Sequence, residues 1–150
     1  MANNQLAFRV APLEGGPNAP DAVTPYINGE SLVDLVGRFE AAAGFQPAGG
    51  YSGIVPANFK LGPLQPYYLG TNARQWPETG SAWLLGCDCG EAGCWPLAAK
   101  VAATQDTVSW SGFSQPHRPQ WDYSAFGPFA FDRAVYDLAI AELIDVRVAD

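Results

Sequence analysis

Hydrophobic and polar residues alternate near the start of the chain and again in its second half. Residues 5–12 place Leu6, Phe8 and Val10 on one face, which predicts a first strand. Three later runs, at 82–89, 94–103 and 107–115, are separated by short segments rich in turn-forming residues. This spacing predicts a three-stranded antiparallel meander.

Apolar residues recur at helical spacing in two other segments. Ser31 is a predicted helix N-cap, and the apolar positions that follow it lie on one helical face before Gly44 ends the pattern. Near the end of the chain, Asp132 is a second predicted cap, and Phe131 is placed to pack against Tyr136. Together these elements predict an α+β fold, with a mostly antiparallel sheet and a three-stranded meander packed by two helices.

Residues 45–81 carry many prolines and glycines, so regular structure there is expected to be short. A Gly- and Pro-rich loop is also predicted at 14–25, before a short extended piece at 26–29. The segment 45–81 is also rich in aromatic residues: Tyr51, Phe59, Tyr67, Tyr68 and Trp76. These aromatics either fix the segment onto the core or form a contact surface for a protein partner.

Composition narrows the function classes. The length of 150 residues suits a single domain spanning 1–150. The net charge is −7, and the eight basic residues are scattered, which argues against nucleic-acid binding. No stretch approaches the roughly 20 apolar residues of a membrane span, and no signal peptide is evident, so a cytoplasmic location is expected. Three cysteines, all within 87–94, do not form a secreted disulfide framework and are expected to be reduced.

The segment 87–94 holds every thiol of the chain, and the single histidine, His117, follows it. If the two turns of the meander are tight, Ala103 pairs with Val108, and the continued ladder places Cys89, Cys94 and His117 in one row across the sheet. Cys87 then lies two residues away on the same face. Neighbouring strands are roughly 4.8 Å apart, so these side chains are predicted to converge.

Three interpretations of this cluster stay open. Cys87, Cys89, Cys94 and His117 form a Cys₃His set suited to zinc, although paired CxxC motifs are missing. Alternatively, His117 activates a cysteine nucleophile and is oriented by Asp122 or Asp106. In the third interpretation the cysteines are packed as small hydrophobes, while His117 and Arg118 anchor a loop. The cofactor expectation is therefore either none or a structural zinc.

The order of motifs over residues 80–140 is distinctive. It follows the pattern CxCGxxGCWPL at 87–97, PHR at 116–118 and FGPFxFDRxxY at 126–136. In this the chain resembles a family of small, uncharacterised bacterial proteins. The resemblance implies a bacterial, cytoplasmic protein whose domain stands alone, and it assigns no functional residue.

The common catalytic motifs GxGxxG, GxxxxGK[ST], GxSxG and HExxH are missing from the sequence. Small size, negative charge and the aromatic segment therefore favour a non-enzymatic protein-interaction module, of the kind used as immunity or inhibitor proteins. The predicted contact residues are the five aromatics from Tyr51 to Trp76. The alternative prediction is a zinc-binding protein or a thiol-dependent hydrolase centred on the Cys/His cluster.

Overall fold

The computed structural model describes residues 4–13 and 18–149, which form two antiparallel sheets and three helices. The first sheet has the order β1 (Leu6–Pro12), β2 (Asp21–Ile27), β3 (Glu30–Ser31). The second has the order β4 (Tyr51–Gly53), β5 (Ser81–Cys87), β6 (Leu97–Ala103), β7 (Thr107–Ser114), β8 (Phe129–Asp132). The prediction of an α+β fold with mostly antiparallel pairing is confirmed.

The helices are α1 (Leu32–Ala42), α2 (Leu64–Tyr68) and α3 (Arg133–Ala141). Ser31 caps α1 as predicted, because its hydroxyl accepts a hydrogen bond from the backbone N–H of Val33 at 3.1 Å. Asp132 also precedes α3, but its side chain makes no capping hydrogen bond. The short α2 lies in the proline-rich segment and was not predicted; it makes three helices where two were expected.

The predicted loop at 14–25 is wrong for 21–25, which belong to β2; residues 14–17 lie outside the described part of the chain. Ala22, Val23, Pro25 and Ile27 are buried, and the strand pairs with β1 along its whole length. Pro25 made the sequence pattern indicate a loop here, because proline lacks the backbone N–H that a strand interior usually needs. It is tolerated because β3 reaches only Tyr26 and Ile27, so no neighbouring strand requires a donor from Pro25 on that side.

The meander β5, β6 and β7 is confirmed, together with the predicted pair Ala103 and Val108. Toward the cysteine loop, the register of these strands differs from the prediction. Irregularities between Trp83 and Leu85 and between Ala98 and Lys100 shift both ladders. The paired strands also end before the cysteine loop and before His117. The predicted pairing of Cys89 with Cys94, and of Cys94 with His117, is therefore wrong.

Two backbone hydrogen bonds join the sheets, between Val23 and Ile54, with N···O distances of 2.7 and 3.1 Å. Gly53 permits this approach, since a Cβ there would lie 2.5 Å from the Val23 carbonyl oxygen. Buried side chains from both sheets belong to one hydrophobic cluster. In the described ranges, no helix combines the length and the apolar character that crossing a bilayer requires.

Candidate functional site

The three cysteines meet in a tight loop between β5 and β6. Cys87 ends β5, Cys89 lies in the following turn, and Cys94 ends a 3₁₀ turn formed by Ala92–Cys94. All three Sγ atoms lie within 4.8 Å of one another. Within residues 4–13 and 18–149, this trio is the one group of three or more potential metal ligands found. Cys89 and Cys94 are exposed, whereas Cys87 is partly buried.

Backbone hydrogen bonds fold the loop back on itself. The N–H of Gly90 donates to the Cys87 carbonyl at 3.0 Å, and the N–H of Cys94 donates to the Glu91 carbonyl at 3.2 Å. Gly90 has a φ of +96°, which glycine adopts without strain. The side chain of Asn58 donates to the Gly90 carbonyl at 3.1 Å and fixes the loop from outside. The backbone that carries the three cysteines is therefore fixed.

Close packing under the loop keeps the 3₁₀ turn against β5. A Cβ added to Gly86 would lie 2.9 Å from the Cα of Ala92, so only glycine permits this approach. The Cβ that Gly93 lacks would contact the ring tip of Trp83 at 3.8 Å. The cysteine loop therefore rests on β5 and on Trp83.

The thiols differ in acidity. Desolvation raises the pKa of the Cys87 thiol to about 12. The pKa of Cys89 is lowered, chiefly because the backbone N–H of Glu91 hydrogen-bonds to its sulfur. The N–H of Cys89 in turn donates to the Cys87 Sγ at 3.5 Å. Cys89 is therefore the thiol of this pair that more readily becomes a thiolate.

His117 lies beside the loop, although not through the predicted ladder. Its Nε2 is 2.9 Å from the Gly93 carbonyl oxygen, and because a carbonyl only accepts, Nε2 carries the hydrogen. The ring stacks on Trp95 at 6.3 Å between centroids, and the guanidinium of Arg118 lies 5.1 Å from the Trp95 ring. His117 is not a member of the group formed by the three sulfurs.

The two aspartates considered as orienting residues make hydrogen bonds within their own turns, Asp122 through its carboxylate and Asp106 through its backbone N–H. Asp122 Oδ1 accepts from the backbone N–H of Ser124 at 2.8 Å. The backbone N–H of Asp106 donates to Thr104 Oγ1 at 3.2 Å. The hydrogen bonds of the described residues contain no bond from either carboxylate to His117. The described part of the chain therefore contains no hydrogen-bonded Cys–His–Asp array.

The predicted contact surface is wrong for three of its five aromatics. Tyr51 is only 5% exposed, and Tyr67 and Tyr68 are fully buried. The helix α2 turns its two tyrosines into the core, where the hydroxyl of Tyr67 donates to the Trp83 carbonyl at 2.6 Å. Tyr51 is buried with its hydroxyl donating to the carboxylate of Glu40 at 2.7 Å. Only the half-buried Phe59 and the 41% exposed Trp76 reach the surface.

A buried carboxylate on α1 was missed from the sequence. Glu40 is fully buried; its Oε1 accepts from the Gly49 N–H at 2.8 Å, and its Oε2 accepts from Tyr51 at 2.7 Å and Tyr123 at 2.5 Å. Its position was a signal, since Glu40 continues the buried positions 32 and 36 at four-residue spacing. The cluster ties α1 to β4 and to the segment before β8.

Comparison with protein-family models, with curated proteins and with solved structures gives no match to this chain. The function must therefore be argued from the geometry of the site alone.

Proposed function

We propose that this protein binds a soft divalent metal ion, in the first place Zn²⁺, through Cys87, Cys89 and Cys94. The observation that carries the proposal is the mutual approach of the three sulfurs to within 4.8 Å. Zinc–sulfur bonds of about 2.3 Å place tetrahedral sulfurs about 3.8 Å apart. Each pair therefore closes by about 1 Å at most, which rotation of the exposed Cys89 and Cys94 side chains accommodates.

The charge of the loop also favours a cation. Asp88 lies beside Cys87, with its Oδ1 3.7 Å from the sulfur, and Glu91 lies in the same exposed turn. When a metal displaces the thiol protons, the three thiolates and the two neighbouring carboxylates together form a concentrated negative site. Thiolates are the ligands preferred by zinc and by Cu(I) rather than by magnesium or calcium.

The fourth coordination position is proposed to be open. Structural zinc sites are closed by four protein ligands, whereas open sites hold three and leave one position for water or an external ligand. Cys89 and Cys94 face solvent, and the Nε2–H of His117 is engaged by Gly93. A ring rotation that brought His117 onto the ion would instead give the closed Cys₃His site of a structural zinc.

The experiment is a titration of the reduced protein, purified without a metal-affinity tag, with Co²⁺ and then with Zn²⁺. We expect one ion per chain and thiolate-to-cobalt charge-transfer absorption. Cys89→Ser and Cys94→Ser should each weaken Zn²⁺ binding more than about 100-fold. This exceeds the loss of about 10- to 100-fold that follows when a residue that only hydrogen-bonds to a metal ligand is removed. Asp88→Asn, which removes the carboxylate next to Cys87, should weaken Zn²⁺ binding by a smaller factor, and Asp106→Asn, an exposed acid in a different turn, is its matched charge control.

The result for His117→Ala separates the open site from the closed one. Zn²⁺ affinity within a few fold of wild type supports the open position, and a loss similar to that of Cys94→Ser shows that histidine is the fourth ligand. In a parallel titration with Cu(I), tight trigonal binding combined with weak Zn²⁺ binding would assign the site to copper. Absence of stoichiometric binding of any of these ions would refute the metal proposal.

Metal binding should also stabilise the fold, because the folded chain holds the three sulfurs together and the unfolded chain does not. At a free Zn²⁺ concentration of about 100 times the Kd, linkage predicts about 2.7 kcal/mol of added stability. Differential scanning calorimetry with and without a chelator measures this change. An unchanged Tm in protein that demonstrably binds zinc would show that the unfolded chain binds the ion as tightly as the folded chain.

We also propose a second function, a cytoplasmic protein-interaction role of the immunity or inhibitor kind. Its support is the exposed Trp76 beside the half-buried Phe59, in a protein with a net charge of −7. The cytoplasmic location is supported by the three clustered thiols of the sequence. Affinity capture from a bacterial lysate, with Trp76→Ala as the control bait, tests the role: a protein retained by wild type and lost with the variant supports it.

A further inference from the structure

An exposed tryptophan lies on an aromatic stack next to the cysteine loop. Trp76 stacks on Trp83 with 5.5 Å between centroids, and Phe59 meets both rings edge-on at 5.2 and 5.3 Å. Trp76 borders an open cavity of about 390 Å³, whose other lining residues are Lys60, Arg74, Gln75 and Pro77. These five lining residues are called the Trp76 surface.

The Trp76 surface is held rigidly from below by Gln75. This side chain is 7% exposed; its Nε2 donates to the carbonyls of Tyr67 and Ser81 at 2.8 Å each, and its Oε1 accepts from the Asn72 N–H at 3.1 Å. The buried amide thus fixes the backbone on which the neighbouring Trp76 stands. A preorganised surface loses little conformational entropy when it binds.

The charge of the Trp76 surface is opposite to that of the whole protein. Lys60 and Arg74 are both exposed, and neither takes part in the two ion pairs of the described residues, Arg38–Glu30 and Arg133–Asp137. Acidic residues outnumber basic ones by 15 to 8 in the chain. Lys60 and Arg74 line the same cavity as the exposed Trp76, and the nearby Glu78 is not among its lining residues, so the cavity carries a local positive charge suited to carboxylates.

We propose that the Trp76 surface binds a protein partner through a peptide segment in which an aromatic side chain lies beside acidic ones. The aromatic ring packs on Trp76 and Pro77, and the carboxylates pair with Lys60 and Arg74. Small ligands need pockets that enclose most of their surface, whereas an open tryptophan and arginine with a polar rim are typical of protein interfaces. This proposal rests on the interaction role above and is independent of the metal.

The test is selection of a phage-displayed library of random linear heptapeptides on the immobilised protein, followed by fluorescence anisotropy with labelled copies of the selected peptides. Three variants are compared with wild type: Trp76→Ala, the double variant Lys60→Gln/Arg74→Gln, and the control Lys100→Gln/Arg147→Gln, which removes the same charge elsewhere. Circular dichroism verifies that each variant is folded. The charge variants alter only exposed side chains, so they keep the test valid if Trp76→Ala is unstable.

We expect selected peptides to contain Trp, Tyr or Phe next to Asp or Glu. Trp76→Ala should weaken their binding about 30-fold, as for an interface hot spot. Lys60→Gln/Arg74→Gln should weaken it about tenfold at low salt and much less at about 0.5 M salt, while the control pair stays within about twofold of wild type.

Other outcomes overturn the proposal in distinguishable ways. Selected peptides without acidic residues, or binding that is equal in wild type and both Trp76-surface variants, would overturn this surface while leaving an interaction role elsewhere on the protein. Failure to select any peptide above background would overturn the surface, and a lysate capture that also retains nothing specific would overturn the interaction role itself.

Discussion

Removing single tyrosine hydroxyls should separate two kinds of buried hydroxyl in this protein. The hydroxyl of Tyr123 donates to the buried carboxylate of Glu40 at 2.5 Å. The hydroxyl of Tyr68 is also buried, yet no atom of the described residues hydrogen-bonds to it. Both substitutions to phenylalanine remove one oxygen and keep the ring, so the two sites are matched except for the partner.

The two substitutions are expected to change the free energy of unfolding differently. A hydrogen bond to a charged group contributes about 1.5–3 kcal/mol, so Tyr123→Phe should lower the free energy of unfolding by about 2 kcal/mol. Burial of an unsatisfied hydroxyl costs about 1–3 kcal/mol, so Tyr68→Phe should leave stability unchanged or raise it by about 1 kcal/mol. Tyr51→Phe should resemble Tyr123→Phe, because Tyr51 also donates to Glu40 and accepts from Gln115 at 3.0 Å.

Urea denaturation followed by far-UV circular dichroism measures these differences, with the m-value as a check that the folded and unfolded states are comparable. A double-mutant cycle of Tyr123→Phe with Glu40→Gln should give a coupling energy of about 0.5–3 kcal/mol. Equal losses for Tyr68→Phe and Tyr123→Phe would refute the reasoning, since the cost would then come from packing rather than from the hydrogen bond.

Two further predictions concern backbone approach and pH. Gly53→Ala should destabilise the protein by about 3 kcal/mol, because its Cβ would lie 2.5 Å from the Val23 carbonyl oxygen. Gly37→Ala, in open space on α1, should stabilise it by about 1 kcal/mol. Thermal melts of both variants check these two predictions. Burial raises the pKa of several tyrosines above that of about 10 in the unfolded chain. The tyrosines' contribution to the free energy of unfolding should therefore be fully present below about pH 10. Above that pH it should fall by about 1.4 kcal/mol per pH unit for each of these tyrosines. An unchanged urea midpoint between about pH 9 and 11 would contradict the assignment. The tyrosines concerned are Tyr51, Tyr67, Tyr68, Tyr123 and Tyr136.

The sequence by itself determined the elements whose signals are local. The cap at Ser31 and the apolar spacing after it define α1, and the turn after β6 sets the pair Ala103 and Val108. These features depend on residues a few positions apart, so periodicity and turn chemistry suffice to predict them. The presence of three thiols in one short loop is also a property of the sequence, and it is what made a metal site conceivable.

The tertiary structure alone decided which side chains meet. Extrapolating the ladder from a correct turn failed at the cysteines because two irregularities shift the register, and each shifted residue changes the face on which the following side chains lie. The sulfurs meet instead through a loop packed on Gly86. Likewise, the tyrosine partners of Glu40 lie 11 and 83 positions away in the chain, and contacts at such separations follow from how sheets and helix pack, which no local pattern encodes.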